Sequence, residues 1–263
     1  MKNKSRAIFV VLATTALLSI TFFGVNKRPQ PNRFSRSLFP DLFPAQYFSV
    51  ERDLAVCRAI SDNELQRLEK LIADIPDVNV TGKHGFNFLF WAWMTDNLDA
   101  FKMLLRAGAD PDARIKIDLR RDIGFFAMKG DSVLFATLTY RRGGDFLDAA
   151  LKYTKDPNQV DAGGYNLIHR YFSIGATPPA FNRLDSLIAS GVDLHKPSPL
   201  DESVCEMSIT SFFQKHSSAS ECIMLLEAGA PAEWSGRSLY SKVRNSPDLI
   251  EIKKWLESHG HGS

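Results

Sequence analysis

Residues 85–113 constrain the fold more than any other part of the chain, because they read as two short helices separated by a polar break. Gly85 begins the stretch as a turn residue, and an apolar run follows a short polar entry. The second apolar segment ends in Leu104 and Leu105, and Gly108 follows it. A glycine at this place is typical of a helix C-cap, where a left-handed residue ends the helix without a Cβ clash. The stretch therefore predicts a helix pair bounded by turns.

The same pattern returns along the chain at a period of about 33 residues, which is the signature of a repeat protein. The entry, a turn glycine and a small polar residue before apolar residues, recurs from Gly130 and Gly164. The closing pattern, an apolar helix end followed by glycine, recurs at Gly191, Gly229 and Gly260. Such helix pairs leave apolar faces that only stacking on neighbouring pairs can bury.

Three segments depart from the regular period. Residues 54–72 read as a helix pair that leads into a turn, and we interpret them as a degenerate first repeat. Residues 114–129 lengthen one interval and predict an insertion between two repeats. Residues 193–208 contain two prolines and predict a second irregular loop, which would include Cys205.

These residues and their spacing resemble the ankyrin-repeat family. The match over 85–113 runs without a gap, although the family's Thr-Pro-Leu-His entry is replaced here by Asn-Phe-Leu-Phe. His169 stands at the position of the family's structural histidine. The resemblance implies an all-α fold, an ankyrin-repeat solenoid of about six helix pairs with β-turn fingers. Ankyrin repeats are binding scaffolds far more often than enzymes, so the resemblance also implies a protein that grips another protein.

The N-terminus predicts a membrane or signal helix. Residues 7–25, bounded by Ala7 and Val25, carry no charge and follow Lys2, Lys4 and Arg6. At 1.5 Å per residue this run reaches ~28 Å, close to the ~30 Å hydrocarbon core of a bilayer. A cleaved signal peptide usually has a shorter apolar run of ~7–15 residues and a small-x-small cleavage site. We expect an uncleaved anchor, with a cleaved signal as the alternative.

This start divides the chain into three parts. We expect a signal-anchor helix over 1–26, a proline-rich tether over 27–46 and an ankyrin-repeat domain over 47–263. Lys and Arg residues flank the apolar run on both sides, so the positive-inside rule is nearly balanced. Because the start looks like a bacterial export signal, we expect a single-pass inner-membrane protein with its repeats in the periplasm.

Charge excludes one class of partner. All 30 acidic residues lie at or after Asp41, whereas seven of the 32 basic residues precede it, so the body carries a net charge of −5. Proteins that bind nucleic acid need a basic footprint to neutralise phosphates. We therefore expect no nucleic-acid partner.

The sequence contains no convincing catalytic or metal-binding motif. The chain has no nucleophile elbow, zinc-protease helix, phosphate loop or dinucleotide fingerprint. Cys57, Cys205 and Cys222 lack metal-type spacing, and we expect buried thiols that act as small hydrophobes. A bond between Cys205 and Cys222 stays open as an alternative. The sequence predicts no enzyme, no cofactor and no metal.

In ankyrin proteins the partner usually lies against the concave face, which the turns and the outer ends of the first helices form. Rigid aromatic side chains suit such a face, with mutual packing of the turn aromatics as the alternative. Trp93 is expected either at the interface or in the core. The predicted partner-binding residues are Lys83, His84, Phe86, Trp93, Met94, Arg120, Arg121, Lys129, Asp131, Tyr140, Tyr165, Trp234 and Arg237.

Two functions follow from the resemblance and the export signal. Ankyrin-repeat proteins recur among bacterial immunity proteins, so the first is an immunity protein that neutralises a secreted toxin such as an antibacterial phospholipase effector. The second is an adaptor or stabiliser of a resident envelope protein. The basic loop over 114–129 is suited to an acidic cleft, with long-range attraction that raises the association rate.

Overall fold

A computed structural model describes residues 43–121, 124–138, 143–173, 183–214 and 216–262 of the chain. All of them belong to one compact unit, Phe39–Ser263. The expected anchor over 7–25 and most of the expected tether lie outside the described residues. No helix in the described ranges has the length and apolar character needed to cross a membrane.

The described residues form an all-α protein with two short β-hairpins. Twelve α-helices are α1 (Glu51–Ser61), α2 (Leu65–Ala73), α3 (Phe88–Met94), α4 (Leu98–Arg106), α5 (Val133–Thr137), α6 (Gly143–Leu151), α7 (Leu167–Ser173), α8 (Leu184–Ala189), α9 (Val204–Phe213), α10 (Ala219–Glu227), α11 (Leu239–Val243) and α12 (Ile250–Ser258). Short 3-10 helices span Pro44–Gln46, Lys83–Gly85 and Pro247–Leu249. The strands are β1 (Leu119–Arg121), β2 (Gly124–Ala127), β3 (Glu233–Trp234) and β4 (Arg237–Ser238).

Consecutive helices pack as six pairs within the described ranges, from α1–α2 to α11–α12. The second helices contact one another in an unbroken series, α2 to α4, α6, α8, α10 and α12. The first helices contact at α1–α3, α3–α5 and α7–α9. Helix pairs therefore follow one another in chain order, and the predicted pair over 54–72 is confirmed as α1 and α2.

Local sequence signals explain where several helices begin. The side chain of Asn87 accepts a hydrogen bond from the Phe90 amide at the start of α3, and Asn97 accepts one from Ala100 at the start of α4. Ser203 and Glu206 form a reciprocal capping box at the start of α9. These side chains satisfy amides that have no partner inside the helix. The same polar residues therefore mark the breaks that the sequence pattern predicts.

The predicted glycine caps are confirmed. Gly108, Gly191, Gly229 and Gly260 have φ angles of +95°, +82°, +95° and +84°, all in the left-handed region. Each follows the second helix of a pair, where a residue with a Cβ would be strained.

Side chains in the loops after the second helices link successive pairs. The Asn79 side chain donates to the Gly108 carbonyl at 3.1 Å and accepts from the Asp110 amide at 2.8 Å. One interval later, the Asp112 carboxylate accepts from Thr154 Oγ1 and from Gln159 Nε2, both at 2.6 Å. These bonds fix the spacing between pairs independently of the apolar core.

Asn158 then repeats the arrangement seen at Asn79. Its side chain donates to the Gly191 carbonyl at 3.2 Å and accepts from the Asp193 amide at 2.6 Å. We call this series of side-chain hydrogen bonds from Asn79, Asp112 and Asn158 the side-chain ladder. It links the loops of at least three successive helix pairs.

One continuous apolar core runs through the helix pairs, from Phe48 to Leu256. Leu104 and Leu105 are 0% and 1% exposed, as their place at the end of the best-formed repeat predicts. Cys57, Cys205 and Cys222 are buried, unbonded thiols, so the alternative of a Cys205–Cys222 bond is not what the structure contains.

Both irregular segments differ from their prediction in detail. The lengthened interval over 114–129 contains the β1–β2 hairpin, in which Arg120 pairs with Phe125. The irregular loop predicted over 193–208 ends earlier, because α9 begins at Val204 and places Cys205 in a helix. The capping box at Ser203 starts that helix within the segment whose prolines suggested a loop.

Candidate protein-binding surface

Five turns, each before the first helix of a pair, form the candidate surface. We call them turn A (82–86), turn B (114–131), turn C (161–165), turn D (198–202) and turn E (233–238). Turns A and B meet where the Lys116 amide donates to the His84 carbonyl at 2.7 Å. Turns C and D approach closely, since a Cβ on Gly164 would lie 3.3 Å from Cγ of Pro199. Neighbouring turns therefore lie next to one another in chain order.

Turns A and B carry exposed positive charge. Lys83 and His84 lie in the 3-10 turn of turn A and are exposed, as are Lys116 and Lys129 in turn B. Asp118 is the acidic neighbour, and its carboxylate accepts from the Lys129 amide at 2.9 Å. None of the three lysines is in an ion pair with another described residue. Their charges are therefore left for solvent or a partner.

The two arginines predicted in turn B lie on strand β1. Arg120 and Arg121 pair through the backbone with Phe125 and Gly124 of β2. Their side chains lie outside the described residues. The backbone of the hairpin therefore places both arginines between Lys116 and Lys129 along turn B.

A half-buried cation joins turn B to turn C. Arg170 of α7 contacts the Asp161 carboxylate at 2.8 Å and the Asp131 carboxylate at 3.5 Å. Asp131 also accepts from the Met128 amide at 2.8 Å. Asp131 is fully buried, so its predicted role as a partner contact is wrong. Burial raises the pKa of Asp131 above its ordinary value, although the hydrogen bond from the Met128 amide and the charge of Arg170 both act to lower it.

Turns D and E are joined by a set of polar contacts that we call the clasp. Asp201, which has a φ of +58°, accepts from Trp234 Nε1 at 3.0 Å and from Ser235 Oγ at 3.3 Å. Arg237 donates to the Asp201 carbonyl and lies 3.5 Å from the Asp201 carboxylate. The hydrogen bond from Trp234 is the main reason that the pKa of Asp201 is lowered. Trp234 and Arg237 are thus held against turn D.

Glu206 extends the clasp into the start of α9. Its carboxylate, almost fully buried, lies 2.8 Å from Lys242 Nζ and 3.3 Å from Arg237 Nε. Burial acts to raise the pKa of Glu206, but the hydrogen bond and charge of Lys242, with the Ser203 amide and Arg237, lower it overall. The ionised carboxylate therefore fixes two cations next to turn E.

Three predicted contact residues of α3 and turn A are in the core instead. Phe86 is 0% exposed and stacks on Tyr47 with ring centroids 3.9 Å apart. Trp93 and Met94 are 4% and 3% exposed, and Trp93 packs edge-on against Phe90 at 5.1 Å. The prediction that Phe86 and Met94 face solvent is wrong, and the core alternative holds for Trp93.

The remaining predicted aromatics are divided. Tyr165 is half-buried and lies edge-on to His169, with ring centroids 6.5 Å apart. Trp234 is half-buried in the clasp. Tyr140 lies outside the described residues. None of the predicted turn aromatics among the described residues is fully exposed, so the expected series of solvent-facing aromatics is not found there.

The sequence pattern does not predict several residues of these contacts. It does not point to Asp201, Asp161 or Arg170, because their partners come from other turns or helices. Glu206 had a detectable local signal in its capping box with Ser203. That signal places Glu206 in the first turn of a helix, but it says nothing of Arg237 and Lys242, which come from the next turn and helix.

No group of three or more His, Cys, Asp or Glu in the described ranges is arranged to hold a metal ion. A scan against protein-family models and a search of curated proteins both find no match for this chain.

Proposed function

We propose that the body is an ankyrin-repeat solenoid that binds another protein through turns A to E. We further propose that the chain is a membrane-tethered immunity protein, which neutralises a secreted toxin such as an antibacterial phospholipase. The succession of helix pairs, the left-handed glycine caps and the side-chain ladder through Asn79, Asp112 and Asn158 support the solenoid. They agree with the family pattern at the helix ends, where the sequence match is best.

The exposed lysines of turns A and B carry the proposal. Lys83, Lys116 and Lys129 lie on adjoining turns, whereas the body as a whole has a net charge of −5. A local positive surface on an acidic protein serves to steer an acidic partner, because complementary charge raises the association rate and disfavours other partners. An acidic cleft of a toxin fits this surface.

The clasp supports the same surface in another way. Trp and Arg are enriched among residues that dominate binding energy. Trp234 and Arg237 are held by Asp201 before any partner arrives. Side chains that are already ordered lose less conformational entropy on binding. Turns D and E therefore offer a rigid contact at the other end of the row.

Reversal of the three lysine charges tests the function. The variant Lys83→Glu, Lys116→Glu and Lys129→Glu should lose binding by at least about tenfold, since each exposed charge pair contributes up to ~1 kcal/mol. The matched control is Lys70→Glu, Lys155→Glu and Lys254→Glu, which reverses three exposed lysines away from turns A and B. Circular dichroism should be the same for both.

Two readouts separate the candidate functions. Protection of cells that produce a toxin encoded by a neighbouring gene should be lost in the first variant and kept in the control. Capture of a resident envelope protein without any protection would favour the adaptor function. Equal protection by both variants would show that turns A and B are not the binding surface.

The location of the body is tested separately. Alkaline phosphatase, which is active only outside the cytoplasm, should be active when fused after Ser263. An inactive phosphatase fusion together with an active cytoplasmic reporter would contradict the periplasmic location and the envelope toxin with it.

A further inference from the structure

We propose that an open groove between α4 and α6 binds an acidic peptide segment, through Lys102, Arg106 and Lys152. The groove lies between second helices, whereas turns A to E precede first helices. It is therefore a separate site and does not depend on the proposed function of the turns.

The groove is formed by the packing of the second and third helix pairs. Phe101 of α4 and Phe146 of α6 meet edge-on, with ring centroids 5.0 Å apart, and this contact helps to hold the two helices together. Ala149 of α6, which is 6% exposed, contributes to the lining of the groove. Because alanine is short, the space between the longer side chains stays open, with a volume of about 340 Å³. This space is large enough for one or two side chains of a ligand.

The cations of the groove lie on both of its sides. Lys102 and Arg106 are four residues apart on α4 and therefore share one helix face. Lys152 and Tyr153 directly follow α6 and complete the opposite side. All three cations are exposed, and none forms an ion pair with another described residue. Three exposed cations that form no ion pair with the described residues thus border one cavity.

The acidic residues of the groove are already engaged. Asp145 and Asp148 of α6 lie 3.4 Å from Arg183 Nη2 and 3.1 Å from Arg183 Nε, respectively. The structure describes no ion pair between Asp148 and Lys152, although they are four residues apart. Arg183 therefore offsets part of the negative charge, and the groove has an excess of positive charge.

Charge and shape together select the ligand. Carboxylates are planar groups that a guanidinium and nearby ammonium groups bind with charge-assisted hydrogen bonds. Tyr153 is 41% exposed and supplies a hydroxyl and an aromatic face beside the cations. An open groove between two helices can hold an extended chain, so neighbouring glutamate or aspartate side chains of one peptide could reach cations on both sides. We expect a short acidic peptide to bind weakly and with strong salt dependence.

The experiment uses the full chain in a neutral detergent and a capped tetraglutamate peptide with an uncharged fluorophore. Fluorescence anisotropy should show binding of this peptide and none of the tetraglutamine peptide. Lys102→Glu with Arg106→Glu should weaken binding by about tenfold or more, since two exposed charge contacts of up to ~1 kcal/mol each are reversed. Lys70→Glu with Lys254→Glu is the matched control and should bind like the parent.

A second variant, expected to bind more tightly, tests whether the loss of binding comes from loss of folding. Asp145→Asn with Asp148→Asn removes negative charge from the same groove, and should tighten binding of tetraglutamate by a few-fold. A variant that merely disturbs the fold cannot produce tighter binding.

Several results would overturn the site. One is equal binding by the parent and the Lys102→Glu, Arg106→Glu variant. Another is a loss of binding only in the Lys83→Glu, Lys116→Glu, Lys129→Glu variant, which would place the peptide on turns A and B. Binding of inorganic phosphate but not of tetraglutamate would assign the groove to a phosphate ligand instead of a peptide.

Discussion

Turns A and B and turns D and E occupy equivalent places before successive helix pairs, yet their charged side chains are used differently. Arg237 and Lys242 form ion pairs with Asp201 and Glu206 of the same chain. Lys83, Lys116 and Lys129 are exposed and form no ion pair with the other described residues. In one region the charges order the structure, and in the other they remain available to a partner.

The difference teaches that a repeated position does not have a repeated role. Asp201 and Glu206 lie in and directly after turn D, and the residues of turn E reach back to them. Turn B also contains a carboxylate, that of Asp118. It accepts a hydrogen bond from the Lys129 backbone amide and forms no ion pair with the described lysine ammonium groups. The same kind of turn can therefore carry charges that stabilise the fold or charges that form no ion pair with the described residues.

The largest effect is expected from the core that both regions share. Leu104 of α4 and Leu225 of α10 are both 0% exposed. Replacing either by alanine should lower the free energy of unfolding by about 2–5 kcal/mol, through lost apolar burial and the cavity left behind. Urea denaturation followed by circular dichroism measures the change. Parent-like stability of both variants would show that the helix pairs do not rest on one continuous core.

A pH effect is expected from the histidine that lies between the two regions. Burial lowers the pKa of His169 on α7 from 6.5 to about 4. The folded protein therefore keeps this ring neutral while the unfolded chain binds a proton. Stability should fall as pH drops from about 6.5 towards 4, by roughly 3 kcal/mol in total from this group.

The variant His169→Gln isolates that contribution, because it removes the titrating ring. Urea midpoints at pH 7 and pH 4.5 should show a smaller loss for the variant than for the parent. Equal losses would mean that His169 is not the group whose protonation unfolds the protein.

The next prediction compares the two regions directly. Glu206→Gln keeps a capping side chain but removes the charge that Lys242 and Arg237 share, and should reduce stability by about 1 kcal/mol, because both cations are partly exposed to solvent. Lys129→Gln should change stability by less than about 0.5 kcal/mol, as expected for an exposed side chain without an ion pair. Chemical denaturation at pH 7 measures both.

Because the folded pKa of Glu206 is lowered, its contribution should be present above pH 4.5 and lost as pH falls through the folded pKa. An equal loss of stability in the two variants would remove the distinction between clasped and free charges.

The smallest effect is expected at Asp131. Burial raises its pKa above 3.8, so ionisation of Asp131 is less favourable in the folded protein than in the unfolded chain. Asp131→Asn keeps an acceptor for the Met128 amide, and Arg170 keeps Asp161. The free energy of unfolding at pH 7 should be unchanged or raised by less than about 1 kcal/mol. A loss larger than that would show that turn B needs the charge of Asp131.

The sign of the pH dependence at Asp131 is opposite to that at Glu206. A raised folded pKa means that the folded state binds the proton more tightly than the unfolded chain. The parent should therefore gain stability relative to Asp131→Asn as pH falls through the folded pKa. Denaturation at pH 7 and pH 4 compares the two proteins.

Helix pairs and their ends were predictable, because they depend on local patterns. Each of these signals lies within a few residues of the helix end that it marks. They are the apolar runs, the Asn87 and Asn97 caps and the glycines after α4, α8, α10 and α12. The exposed lysines of turns A and B were predictable for a similar reason, since turns lie at the surface. The predicted resemblance to ankyrin repeats and the membrane anchor over 7–25 stay predictions.

The positions of Phe86, Trp93 and Asp131 were not predictable from the repeat pattern. Whether a side chain at a turn or helix end faces solvent depends on what the neighbouring segment brings to it. Tyr47 covers Phe86 and Arg170 reaches Asp131, and both partners lie far away along the chain. A family pattern gives the place of a residue within its own repeat, but not the volume or charge of its neighbours.

The sequence by itself determined the helix pairs, their caps and the excess of positive charge in turns A and B. Each of these follows from local hydrogen bonding, apolar periodicity or surface position. Only the tertiary structure decided which charges remain free. The clasp, the Arg170 contacts and the groove between α4 and α6 each join residues from different helix pairs, and such contacts form only when the pairs pack together.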